Sequence, residues 1–164
     1  MLRRIGIITV LSLIVAAFAA VPAQAQTANF TNYSLDIIGN TASSTGSVED
    51  LPGSFSTDIR LTLAGTATVE CRAPKGGIVR VFSGVPVSNS GEQTNLTPEE
   101  SLIRGWHIDG FSVTTSGTIT PTAKPCPKKW TPIIRGDIVW TSVTLEAIQP
   151  SESNIVVART SVLL

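Results

Sequence analysis

The chain has 164 residues, with 12 basic and 12 acidic side chains; 42% of its residues are hydrophobic and only 5% aromatic. This length suits a single domain with a sizeable core. A charge balance near zero and so few rings speak against an electrostatically driven nucleic-acid reader, a base-stacking platform or a broad carbohydrate-stacking face.

Arg3 and Arg4 form a short basic region, residues 5–20 are almost continuously apolar, and Ala23-Gln24-Ala25 places small residues where a signal peptidase reads. This pattern predicts a cleaved secretory signal at residues 1–25 and a domain at 26–164. The apolar run is short for a membrane span of about 20 residues. The expectation is an exported protein, extracellular or periplasmic, with no integral membrane span after cleavage. Without Arg3 and Arg4 the acids outnumber the bases slightly.

Beyond the signal, short segments alternate apolar and polar residues, the period of a half-buried strand. Tyr33, Leu35 and Ile37 share one face, with Ser34 and Asp36 on the other. Residues 40–54 (NTASSTGSVEDLPGS) are polar and read as a loop. Ile59, Leu61 and Leu63, then Ala67, Val69 and Cys71, alternate with polar neighbours. A turn at PKGG (74–77) leads to a strand beginning at residues 78–82. Thr97 as N-cap, Pro98 at the first helical position and Glu100 three residues after the cap predict a short helix near 98–103, stopped by Gly105. Trp106 and Ile108 alternate with His107 and Asp109, and the phase then shifts to Phe111 and Val113, which predicts a bulge at Asp109-Gly110. Val139, Val143 and Leu145 share a face with Thr141, and Val156, Ala158, Val162 and Leu164 make a final strand.

About seven to nine short strands with Gly, Pro, Ser and Asn between them predict an all-β fold, a single antiparallel β-sandwich. The architecture is similar to small immunoglobulin-like extracellular modules. That likeness implies no function.

Cys71 and Cys126 are the only cysteines, and an even pair in an exported domain predicts a disulfide. A metal site built on them would need further Cys or His ligands, and His107 is the only histidine, so neither a metal nor a cofactor is expected. The bond would close a loop of roughly 56 residues, worth about 4 kcal/mol in the chain-entropy account. Cys71 lies on the inward phase of a strand and Cys126 in a Pro-rich connection, so the bond should tie a loop onto a sheet.

That connection, residues 121–132, carries Pro121, Pro125, Pro127 and Pro132, which fix φ and restrict their predecessors. It also holds the only basic cluster, Lys124, Lys128 and Lys129, followed by Trp130. It is the leading candidate binding loop. The plainer reading has Trp130 packing inward at the start of the next strand while the lysines solvate the loop.

His107 and Asp109 would point to the same face of a strand, a base–orienter arrangement. No Gly-x-Ser-x-Gly elbow accompanies them, and the plainer reading is an outward polar face opposite Trp106 and Ile108. Arg135-Gly136-Asp137 matches the tripeptide that integrins read, and sits between two β-rich runs as a hairpin tip or bulge. Asn29, Asn32 and Asn95 head Asn-x-Ser/Thr patterns.

The expected function is a non-catalytic binding or structural module of the cell envelope or extracellular space. Its partner would be a protein or a cell-surface polymer and not nucleic acid. Two other readings stand beside it: a secreted protease inhibitor presenting Lys128 or Lys129, and a small hydrolase built on His107. Terminal strands in the phase of NFTNYSLDII and of Leu164 raise the further prospect of a homo-oligomer formed by strand pairing.

Overall fold

The computed structural model describes residues 28–77, 79–150 and 154–164; the signal-segment expectation for residues 1–25 lies outside them. Among the described residues nine strands run in chain order: β1 (Asn29–Ile38), β2 (Thr41–Leu51), β3 (Thr57–Arg72), β4 (Val79–Leu96), β5 (Glu99–Ser101), β6 (Gly105–Thr114), β7 (Thr120–Pro121), β8 (Thr131–Gln149) and β9 (Ile155–Leu163). They form a four-stranded sheet, β1-β2-β6-β5, and a five-stranded sheet, β7-β4-β3-β8-β9. All pairings are antiparallel. The result is a sandwich-like all-β fold. Among the described residues no helix is long and apolar enough to cross a membrane.

β3 organises the molecule. Its inward positions Ile59, Leu61, Leu63, Ala67, Val69 and Cys71 are all buried, as strict alternation predicts. The first three face the small sheet and join Val48, Ile108, Phe111, Val143 and Leu145 in the main core. Val69 and Cys71 extend past the small sheet into a second, smaller cluster with Val85, Cys126, Trp130 and Ile134. Buried Asn89 donates from Nδ2 to the carbonyl of Asn40 (2.6 Å) and its Oδ1 accepts from the Ser116 hydroxyl (3.3 Å).

Both lateral seams of the sandwich are laced. On one side the Ala28 amide donates to the Val157 carbonyl (3.2 Å). On the other, the Ser116 amide donates to the Ser90 carbonyl (3.0 Å), and the Ser112 amide to Gln93 Oε1 (2.7 Å). Gly91 is required at this second seam, because a Cβ there would lie 1.8 Å from the Thr114 carbonyl oxygen.

Several expectations are corrected. Residues 41–51 form a central strand, not a loop: Ala42, Ser44 and Val48 are buried on alternate positions. The hydrophobic alternation is concealed because the inward residues are small. At Gly46 a Cβ would meet the Tyr33 Cβ at 2.6 Å, so the small side chain is what lets β1 and β2 pack here.

The helix expected near 98–103 is absent. Pro98 is buried, Glu99–Ser101 pairs with β6, and the next residues turn. The Ser101 hydroxyl accepts from the amides of Ile103 (3.3 Å) and Arg104 (3.1 Å), and Gly105 takes φ +61°. Six residues before a glycine give too little length to offset helix nucleation, whereas this hairpin satisfies the same groups at once.

Val139 turns outward, exposed, rather than sharing a face with Val143 and Leu145. A register shift in β8 opposite Ala64 and Gly65 reverses the phase, and Trp140 takes the inward position, its Nε1 donating to the Gly39 carbonyl (3.1 Å). Tyr33 is likewise displaced by a bulge between Thr31 and Ser34, where Asn32 adopts φ +49°. The bulge read at Asp109-Gly110 is present, with Gly110 at φ +123° and Ile108, Phe111 and Val113 buried. β1 and β9 each pair within their own sheet.

Candidate functional site

Cys71 of β3 and Cys126 form a disulfide with Cα atoms 5.4 Å apart. The bond ties the connection between β7 and β8 down onto the large sheet. The connection is moored again at its start, where the Thr122 amide and hydroxyl both donate to the Pro86 carbonyl (3.0 and 3.2 Å). Between these two anchors the proline-fixed backbone has little freedom.

The anchored loop encloses a cleft of about 350 Å³. Its walls are Pro121, Pro125, Pro127 and Pro132, with Trp130 and the Cys126 side of the disulfide beside them. Lys124 and Lys128 also line it, and both are exposed, as is Lys129. Trp130 is half-buried. One part of its ring packs on the second cluster, and the Arg80 guanidinium lies over it, 5.6 Å from the ring centroid. The two readings of Trp130 therefore coexist: it packs inward and still lines a concave surface.

Lys128 and Lys129 are displayed on a tight turn. The Trp130 amide donates to the Pro127 carbonyl (3.0 Å), and Lys129 sits at φ +73°. A positive φ at the third turn position is type II geometry, normally taken by Gly or Asn. A lysine there costs about 1 kcal/mol or more.

Arg135-Gly136-Asp137 lies within β8, not at a hairpin tip. Gly136 takes φ +69° at a bulge between the pairings of Thr66 and Thr68. Arg135 Nε donates to Glu70 Oε2 (3.2 Å), and Arg72 pairs with the same carboxylate. The two guanidinium groups hold the Glu70 carboxyl below its usual range, Arg72 contributing most. Asn29, Asn32 and Asn95 are all exposed, on β1 or near the end of β4.

His107 departs from the outward, solvated position expected for it. It lies on the outer face of β6 yet is only 3% exposed. β5 pairs Glu99 directly opposite it, and Arg104 and Asp109 close over the same face: Arg104 donates from Nη1 to Asp109 Oδ1 (2.5 Å) and from Nη2 to Oδ2 (3.1 Å). His107 Nε2 and Asp109 Oδ2 are 3.5 Å apart, so the shared face read from the i, i+2 spacing is real. No serine or cysteine nucleophile is bonded to the imidazole among the described residues. The sequence could not show the burial, since it depends on a strand that was read as helix.

Leu102 and Ile103 went unnoticed in the sequence. They form the tip of the β5–β6 hairpin and are 107% and 95% exposed.

No family model, curated protein sequence or solved structure matches this chain.

Proposed function

We propose that the chain is an exported, non-catalytic binding module of the cell envelope or extracellular space, and that its ligand seats in the proline-walled cleft. The observation that carries this reading is the combination of a rigid apolar concavity with a lysine-bearing mouth. Ligand sites are typically concave and mostly apolar, with a few charged groups that orient the ligand. A loop already held by a disulfide, four prolines and mooring bonds loses little entropy on binding. The lysines favour an anionic partner, such as an acidic polymer of the cell surface or an acidic peptide. The immunoglobulin-like reading is part of this proposal and draws support from the two packed antiparallel sheets. The disulfide is compatible with export.

The inhibitor reading is less well supported. A protease takes its inhibitor's reactive residue in extended conformation, and the type II turn at Lys128-Lys129 is the opposite of extended. The hydrolase reading has a buried imidazole in its favour and no nucleophile beside it.

The test measures binding of the purified protein to anionic glycans, to acidic peptides and to the surface of the cells that export it. Wild type should bind at least one of them, and Lys124→Ala/Lys128→Ala/Lys129→Ala should lose that binding with an unchanged melting temperature. Equal binding by both proteins, or none by wild type, would reject the cleft as the site.

A further inference from the structure

Outside the cleft, His107 is a buried side chain with a polar group near each ring nitrogen. Its Nδ1 is 3.0 Å from the Gly105 carbonyl oxygen, and its Nε2 is 3.5 Å from Asp109 Oδ2. A carbonyl accepts only, so Nδ1 carries the ring proton and donates it to Gly105. In the neutral ring Nε2 then holds a lone pair aimed at a carboxylate. Two lone pairs facing each other in a nearly solvent-free position repel unless something positive lies between them.

Glu99 stands across the ladder from His107, and one ligand atom from each of Glu99, His107 and Asp109 lies within 4.8 Å of the others. The Nε2–Oδ2 separation of 3.5 Å already matches an edge of a tetrahedral zinc site, about 3.4 Å for bonds of roughly 2.1 Å. Closing the remaining distance asks for a shift of at most about 1.4 Å, which the exposed Glu99 side chain is free to make. Charge points the same way. The carboxylates of Glu49, Glu99 and Asp109 surround a single guanidinium, Arg104, which lies 4.0 Å from Glu49. With the imidazole neutral, that cluster has two negative charges in excess. Arg104 does not close the site, because each carboxylate oxygen of Asp109 has two lone pairs and the guanidinium occupies one at Oδ2.

We propose that Glu99, His107 and Asp109 form a binding site for a divalent transition-metal ion of the zinc type, with Gly105 as the carbonyl that fixes the ligating tautomer. A ligating histidine characteristically donates its other ring N–H to a carbonyl or carboxylate. One imidazole with two carboxylates suits Zn²⁺ better than Mg²⁺ or Ca²⁺, which take all-oxygen sets. Glu99 is exposed and Asp109 half-exposed, so the ion would keep water in its remaining positions. All three ligands belong to one β-hairpin, and its tip is Leu102-Ile103. Metal would therefore fasten the short edge strand β5 to β6 and fix where that apolar tip projects.

The experiment titrates the chelator-stripped, purified protein with zinc sulfate, followed by calorimetry and by the ¹⁵N shift of the single histidine. The expected result is one bound ion, a displaced Nε2 resonance, a zinc-dependent rise in melting temperature, and no competition from about a hundredfold excess of Mg²⁺. Glu99→Gln should weaken binding at least about tenfold, and His107→Gln likewise. Glu99→Gln changes an exposed side chain, so the test stands even if His107→Gln fails to fold. The proposal is overturned if no ion binds up to about 1 mM zinc, if the Nε2 resonance is unmoved, if Mg²⁺ competes equally, or if Glu99→Gln binds as wild type does.

Discussion

Along β3, Ile59, Leu61 and Leu63 meet a second sheet, whereas Val69 and Cys71, on the same face of the same strand, meet a loop. The first half is held by many interdigitating side chains. The second has three buried residues and a covalent bond. The contrast shows two ways of covering one sheet. Where area is ample, hydrophobic burial suffices; where it is small, a disulfide and fixed-φ prolines limit what the unfolded chain gains in freedom. The half with the thin core is also the half with the proline-walled cleft.

The largest effect expected is from Leu61→Ala in the sheet-on-sheet half. A cavity there should lower global stability by about 2–5 kcal/mol. Denaturant unfolding should show both halves lost in one transition. Replacing Cys71 and Cys126 together by alanine should cost up to about 4 kcal/mol. Here the comparison predicts a distinct pattern: hydrogen exchange should quicken first in residues 79–86 and 120–132, while β1, β2 and β6 stay protected. Uniform loss of protection would show that the loop-covered half does not open separately from the rest.

Gly91→Ala tests the seam that joins the sheets. The added Cβ must displace the Thr114 carbonyl, at a cost of about 1–3 kcal/mol or more by thermal melting. Lys129→Gly should do the reverse in the loop-covered half, raising stability by up to about 1 kcal/mol by relieving the positive φ.

The smallest effect is electrostatic. Glu70, on the outer face of the loop-covered half, is held below its usual range by Arg72 and Arg135. A carboxylate with a lowered folded-state pKa contributes stability above its unfolded value, near 4.5, and loses it as pH falls through the folded value. Glu70→Gln should therefore lower the melting temperature slightly at neutral pH and converge on wild type well below about pH 4.5, flattening the acid limb of the profile.

How much of this could be read from residue order depends on side-chain size and on which partner a residue needs. β3 was legible because its inward residues are nearly all branched aliphatics or cysteine. β2 was not, because Ala42, Ser44 and Gly46 carry the same period with almost no hydrophobic contrast. Thr97-Pro98-Glu99-Glu100 has the local chemistry of a helix start, and the pairing of Glu99–Ser101 with β6 outweighed it. In the candidate site, Cys71, Cys126, the lysines and Trp130 were visible through composition alone. The concavity was not, since Thr122 needs Pro86 and Trp130 needs Arg80, both more than thirty residues away. The Glu99–His107–Asp109 grouping stayed hidden for a related reason, as Glu99 had been placed on a helix.

β3 runs unbroken from Thr57, near the β5–β6 hairpin, to Cys71, beneath the cleft. At about 3.3 Å per residue that is a shaft of about 45 Å, flanked on both sides by still longer strands. Such a shaft sets the distance between the two ends of the molecule. Whatever engages the proline-walled end and whatever meets the Leu102-Ile103 end would be kept a fixed distance apart. Lengthening β3, β4 and β8 together, two residues at a time to preserve facing, would move them apart by about 7 Å per step.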